Sequence, residues 1–435
     1  MTRVAGFIVF LLVSAAASQR QPTHGKVSAV DANKLTALKV TGTARYTDKE
    51  MLAASGLQIG QKVADGDFKE AAQRLGDSGL FSDVAYSYSS SGGGTKLELQ
   101  LADVENDKLV PANFENFAWF TDAELFGELK RRVPLFKGEV PLAGTLPDRI
   151  QEALQAILDQ EQIPARVDYL RESPQEGGKL IGISYSVESL EIRIRNVEFP
   201  GAVPDLLPGL QAASRRLTGT PYVRTSLAKV AEVDFLPICL KGGYLKASFA
   251  KADAHVVSQA NGEVEVDAIV PVTPGKVYST SSVDWKGNSV IKTGELAPLL
   301  HLPPGQPTDA VRLLRDIESV DKLYRSRGYM TLQIKPDAQY DEEKSTVHYD
   351  LNIVEGDLYK MGELEILGLD TQATARMQEA WTLREGQPYN ADYPNKFVDD
   401  TGQLLPSGVR WVVSIHETLE AKNKTVDVEI RFKQQ

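Results

Sequence analysis

Val283-Asp284-Trp285-Lys286-Gly287-Asn288 is followed about eighteen residues later by Gly305-Gln306-Pro307. After these come a periodic apolar run from Ala310 to Arg325 and then Arg327-Gly328-Tyr329. The first piece predicts a strand that leaves through a glycine able to take φ > 0. In the run, Val311, Leu314, Ile317, Val320, Leu323 and Tyr324 fall on one helical face. Gly328-Tyr329 predicts a left-handed helix stop leading into a strand from Tyr329 to Ile334. Val347-His348-Tyr349-Asp350-Leu351 alternates with period two, as a strand with one wet face must. Together these pieces spell β-α-α-β-β.

The same punctuation recurs along the chain. Glycines 60, 138, 219, 305 and 386 open Gly60-Gln61-Lys62, Gly138-Glu139-Val140, Gly219-Thr220-Pro221, Gly305-Gln306-Pro307 and Gly386-Gln387-Pro388, at a period of about 80 residues. A self-similar period of this size implies repeated units, each large enough for its own small core. Strand-and-turn pieces precede four of the marks: Leu38 to Gly42, Val197 to Gly201, Val283 to Asn288 and Leu364 to Gly368. The second unit has Phe114-Glu115-Asn116-Phe117-Ala118, with no glycine. Thr47 with Glu50, and Thr121 with Glu124, read as capping boxes for short helices. A second helix is expected from Asp67 to Gly76 in the first unit. The strands after it are expected at 83–88, 165–170, 244–249, 329–334 and 409–415. Closing strands are expected at 97–101, 181–185, 264–268, 347–351 and 426–430.

These features give an α+β fold of tandem β-α-α-β-β units, each a three-stranded sheet covered on one face by two helices. The boundaries read as a signal peptide over 1–18, a flexible leader over 19–34, and units over 35–104, 109–189, 190–274, 275–356 and 357–435. Arg3, the apolar run from Val4 to Val13 and the small residues Ala16 and Ser18 carry the signal reading, with cleavage before Gln19. That run is shorter than the ~20 residues a membrane span needs.

Composition excludes several function classes. Hydrophobic residues are 42% and charged residues 25%, a globular balance. The formal charge of −11 comes without any basic block, which argues against nucleic acid as partner. Cys239 is the only cysteine, so no intramolecular disulfide can form, and its apolar surroundings predict core packing. His24, His255, His301, His348 and His416 show no ligand spacing, so no metal site is expected. No nucleophile elbow, phosphate loop or zinc-protease motif occurs, so no enzyme, cofactor or small-molecule substrate is expected. Trp119, Trp285, Trp381 and Trp411 are read as packing residues.

With these residues in view, the chain resembles an array of POTRA (polypeptide-transport-associated) domains. Val40-Thr41-Gly42, Gly60-Gln61-Lys62 and Leu80-Phe81-Ser82-Asp83-Val84 carry the match in the first unit. Gly287-Asn288, Gly305-Gln306-Pro307 and Leu323 to Tyr329 carry it in the fourth, and the second unit is degenerate. Five units resemble the periplasmic arm of BamA-type outer-membrane assembly proteins, without the C-terminal barrel. The resemblance implies a non-enzymatic scaffold, exported to the periplasm or associated with the outer membrane. Its implied partners are unfolded or extended polypeptides, and a separate outer-membrane barrel protein is a further candidate. It also implies client binding by β-augmentation, with Val84, Tyr86 and Tyr88 in the first unit and Tyr329, Thr331 and Gln333 in the fourth as edge-strand candidates. The alternative is a structural scaffold of the cell envelope that self-associates or docks to a membrane partner.

Overall fold

The computed structural model describes residues 11–13, 33–91, 94–173, 178–406 and 408–434. The expected signal and leader fall almost wholly outside the described residues. The chain divides into two compact units. One comprises residues 1–200, 211–231 and 250–271; the other comprises 201–210, 232–249 and 272–435. Among the described residues no helix is long and apolar enough to cross a membrane.

In the first unit, β1 (Leu11–Val13), β2 (Asn33–Thr41), β3 (Lys62–Val63), β4 (Phe81–Ser91) and β5 (Gly94–Asp103) form one sheet in the order β1-β4-β5-β2-β3. A second sheet contains β6 (Leu109–Phe114), β7 (Glu139–Pro141), β8 (Arg166–Glu172) and β9 (Gly182–Glu188), ordered β7-β6-β9-β8. A third is β10-β13-β12, from β10 (Glu191–Glu198), β12 (Asp253–Ala260) and β13 (Glu263–Ile269). The helices are α1 (Asp48–Ser55), α2 (Asp65–Asp77), α3 (Asp122–Arg132), α4 (Leu146–Gln160) and α6 (Arg224–Val230), and α5 (Leu207–Ser214) runs across the division between the units. Strand β2 starts at Asn33, where a leader was expected, because Asn33 and Lys34 pair with Val63 and Lys62.

The other unit holds β11 (Ser248–Phe249) with β14 (Val272–Thr273), and two three-stranded sheets. These are β15-β17-β16, from β15 (Ser279–Lys286), β16 (Gln333–Asp341) and β17 (Thr346–Val354), and β18-β20-β19, from β18 (Lys360–Leu367), β19 (Trp411–Glu420) and β20 (Thr425–Gln434). Its helices include α7 (Leu236–Lys241), α8 (Thr293–Leu296), α9 (Ala310–Arg325), α10 (Thr371–Ala380) and α11 (Tyr393–Thr401).

One arrangement recurs. The closing strand is central, parallel to the opening strand and antiparallel to its own hairpin partner. The central strands carry the alternation legible in the sequence. Val426, Val428, Ile430 and Phe432 of β20 all point into a core with Met377, Trp381 and Phe397 from the helices. Each such side chain contributes about 1.5–3 kcal/mol on burial.

The glycine that ends the opening strand has two reasons to be glycine. Gly42, Gly287 and Gly368 have φ of 84°, 88° and 85°. A Cβ there would lie 2.1, 2.1 and 1.8 Å from the carbonyl oxygens of Leu101, Ile353 and Phe432. The second repeat dispenses with it. There the Asn116 side chain pairs with the Val187 backbone, accepting from its N–H at 2.7 Å and donating to its carbonyl at 3.0 Å. The Gly-x-x marks also acquire a physical role. Gly60, Gly219, Gly305 and Gly386 donate their N–H to the opening strand, at Leu35, Ile194, Thr280 and Met361. Each acceptor sits where that strand shifts register by a bulge. Pro307 and Pro388 then bridge to Ser279 and Lys360. The mark therefore covers the outer edge of the opening strand.

Two expectations are corrected. Helix α9 spans Ala310–Arg325 as read, but its buried face holds Leu313, Asp316, Val320 and Tyr324, while Leu314 is 56% exposed. Asp316 can be buried because its carboxylate accepts from the His301 N–H at 2.6 Å and from Arg312 Nε at 2.8 Å. In the third and fourth repeats the first hairpin strand starts later than expected, at Asp253 and Gln333 in place of Tyr244 and Tyr329. In both, the glycine before the tyrosine is engaged by the following segment: Tyr278 N–H donates to Gly243 at 2.8 Å, and Tyr359 N–H to Gly328 at 2.8 Å. The chain spends the next residues on that joint before it enters the sheet.

Candidate functional site

The candidate surface is the outer strand of each sheet. Strands β8, β12, β16 and β19 pair with the central strand, and among the described residues their far sides carry no other strand. Strand β4 differs: Val84, Ala85 and Tyr86 also pair with Val13, Leu12 and Leu11. An unpaired edge presents alternating N–H and C=O groups to any extended chain.

The sequence-derived candidates do not converge on one surface. Val84 and Tyr86 have core-facing side chains, 3% and 1% exposed. The Tyr86 phenol is turned toward Asp65 at 3.5 Å, and burial pushes its pKa up to about 12. The Tyr88 ring lies 4.9 Å from that of Phe68. Only the backbone of these three residues can face a partner, and at Val84 and Tyr86 it already pairs with β1. In the fourth unit Tyr329 and Thr331 precede β16 and are not edge-strand residues. Tyr329 packs edge-on against Tyr324, with ring centroids 6.1 Å apart. Gln333 is the first residue of the strand, opposite Val354.

The five edges are unequal. Strand β4 has a register shift beside Ser82, and β12 has one beside Val257. Strand β8 has seven residues. Strand β16 contains Pro336, which lacks an N–H and is tolerated because the strand is outermost. Strand β19 runs ten residues in unbroken register with β20, without proline or glycine. Its outward Val412 is 48% exposed. Its inward Val413, Ile415 and Glu417 line a cleft of about 430 Å³ that also receives Lys322 and Arg325. Arg325 lies 3.4 Å from Glu417, which also accepts from the Tyr389 hydroxyl at 2.7 Å. Burial, and then that carboxylate, raise the Tyr389 phenol well above its ordinary pKa. The alternation from Trp411 to Leu419 was the available signal for this edge, but its length and exposure were not legible.

Titratable groups elsewhere have structural partners. Thr47 and Thr121 cap α1 and α3, and the returning hydrogen bonds hold Glu50 and Glu124 below the usual carboxylate range. His348, Asp284 and Asp350 bring three possible ligand atoms within 4.8 Å of one another. The Lys286 ammonium already lies 2.6 Å from Asp350, so this set is served by a cation of the chain itself. Cys239 is fully buried, as its surroundings predicted, and burial raises its thiol pKa. Trp381 is a core residue, whereas Trp119 is half-buried and donates to Gln259 at 3.2 Å.

The family model for POTRA, described as "Surface antigen variable number repeat", matches residues 278–356. Residues 278–356 form a POTRA domain. This segment contains β15, α8, α9, β16 and β17, and the whole chain is an α+β array that repeats its sheet-plus-helix pattern. Similar solved structures include POTRA3-5 of BamA from Haemophilus influenzae, at 17% identity over 56% of this chain and 96% of that one, with a TM-score of 0.43. POTRA1-3 of the periplasmic domain of Omp85 from Anabaena matches at 17% identity over 56% of this chain and 95% of that one, with a TM-score of 0.25. CdiB from Escherichia coli matches at 17% identity over 36% of this chain and 27% of that one, with a TM-score of 0.20.

Proposed function

We propose that this chain is a non-enzymatic, exported scaffold that binds extended polypeptides during outer-membrane protein assembly or transport. In this reading each of 35–104, 109–189, 190–274, 275–356 and 357–435 is a POTRA-type module. The carrying observation is that the mark covers the opening-strand edge, which leaves the first hairpin strand as the available edge. A client adding to that strand gains backbone hydrogen bonds whatever its sequence, which suits a handler of many clients. Trp411–Glu420 is the foremost docking strand because nothing interrupts its ladder. With the signal residues Leu11–Val13 cleaved away, the backbones of Val84, Tyr86 and Tyr88 become secondary positions, as does the start of β16 at Gln333. Tyr329 and Thr331 act only by leading the chain into that edge. The periplasmic placement rests on the export signal read in the first residues and on the POTRA match.

The test is a photo-crosslinking residue at Ser414 or His416, both exposed on this strand, in cells, with and without Val412→Pro. Adducts with outer-membrane or exported polypeptides, lost in the proline variant, are the expected result. Absence of envelope-protein adducts at both positions would overturn the reading.

A further inference from the structure

The joint between the first two repeats holds a cleft that the strand edges do not explain. It has a volume of about 420 Å³ and lies where α1, α3 and α4 approach one another. Arg74, Arg132 and Arg149 line it, against Glu152 as the acid on the same wall. Ala53, Ala153 and Ala156 keep its floor small-sided and leave room for an incoming group.

The walls are fixed in place. A Cβ on Gly79 would lie 1.8 Å from the Ala143 carbonyl oxygen, so the two backbones meet directly. Buried Tyr46 donates its hydroxyl to the Leu135 carbonyl at 3.1 Å, and Lys137 pairs with Glu50 at 3.0 Å. Preformed clefts at such joints are where ligands bind at low ordering cost.

The three arginines are not equally engaged. Arg74 donates to the Ser55 carbonyl at 2.6 Å and so closes the end of α1. Arg132 donates to Gln160 at 2.7 Å, with its Nε 3.9 Å from Glu128. Arg149 is half-buried, and among the described residues its guanidinium has no hydrogen-bond or ion-pair partner. It also sits in the first turn of α4, at the positive end of the helix, where a cation is disfavoured and an anion favoured. Arg74, Arg149 and Glu152 also border a second cleft that holds Glu70, Asp77 and Asp148, whereas Arg132 lines the first cleft alone.

We propose that this cleft binds a carboxylate of an extended polypeptide, an acidic side chain or a chain end, with Arg149 as the principal contact and Arg132 beside it. A planar guanidinium accommodates a carboxylate with two parallel hydrogen bonds, which gives it direction as well as charge. The site lies away from the strand edges, so its test does not depend on strand addition.

The test uses the full chain and fluorescence anisotropy with three labelled peptides: one bearing glutamates and an amidated end, its glutamine counterpart, and the glutamine counterpart with a free carboxylate end. At least tenfold tighter binding of one or both carboxylate peptides than of the amidated glutamine peptide is expected. Arg149→Gln should abolish that difference and Arg132→Gln should reduce it, while exposed Lys39→Gln should leave it unchanged; circular dichroism checks that each variant folds. Equal binding of all three peptides, an Arg149→Gln variant that keeps the preference, or displacement by equimolar inorganic phosphate would overturn the proposal.

Discussion

Arg224→Met should loosen the joint between the second and third repeats more than any surface change. Arg224 is 6% exposed and donates to four backbone carbonyls: Phe114 at 3.1 Å, Phe117 at 3.2 Å, Phe120, and Ala252 at 3.2 Å. Its guanidinium also lies 3.2 Å from Asp122 and 3.5 Å from Asp253. Methionine keeps much of the volume and removes every donor. Hydrogen bonds to a charged group are worth about 1.5–3 kcal/mol each, but they are not additive in one network. Removing one partner of a buried ion pair costs about 3–5 kcal/mol. An adjoining space of about 80 Å³, lined by Phe114, Asp122 and Arg224, can admit water to the stranded carbonyls. That relief places the expected loss near the lower end, at about 3 kcal/mol. The assay is urea unfolding combined with native-state hydrogen exchange. With a slope of about 1–3 kcal/mol per molar urea, the midpoint of this segment should fall by roughly 1–3 M. The amides of Glu115 and Arg224, bonded to the carbonyls of Tyr185 and Glu115, should exchange faster. A loss below about 1 kcal/mol with unchanged exchange at these amides would mean that Arg224 does not hold this joint together.

Gly368→Ala should cost about 2–4 kcal/mol, since the new Cβ meets the Phe432 carbonyl oxygen and φ is 85°. Gly386→Ala should cost only about 1–2 kcal/mol, because its φ is 78° but nothing lies within 4 Å; thermal unfolding of the two variants compares them. Glu50 titrates at about 2 in place of 4.5, chiefly because the Thr47 backbone N–H donates to its carboxylate. A depressed carboxylate pKa stabilises fully above about 4.5, and the stabilisation is lost as pH falls from there toward 2. Glu50→Gln should therefore flatten that part of the acid-unfolding curve, as urea midpoints at pH 6 and pH 3 would measure. Cys239, fully buried, should resist alkylation in the native protein and react once urea unfolds the surrounding segment.

The α+β character, the five repeated marks, the capping boxes at Thr47 and Thr121 and the alternation of the central strands were legible locally. Each depends on a few adjacent residues and a short-range rule. The start of β12 and β16 was not, because Gly243 and Gly328 are claimed by Tyr278 and Tyr359, which lie over 30 residues further along the chain. Spacing alone puts Leu314 on the buried side of α9, because it cannot foresee that a carboxylate, Asp316, is buried nearby. The candidate edge residues suffer the same limit. Alternation identifies two faces of a strand, and it does not say that Val84 and Tyr86 face the core or that Pro336 interrupts the fourth edge.

The repeated marks and their period follow from local rules, since glycine at positive φ, helix caps and period-two burial are properties of neighbouring residues. Which edges stay open is set by contacts between residues far apart in the chain. Edge exposure depends on what the remote marks cover, on where each joint draws the chain away from its sheet, and on the ten unbroken residues from Trp411 to Glu420.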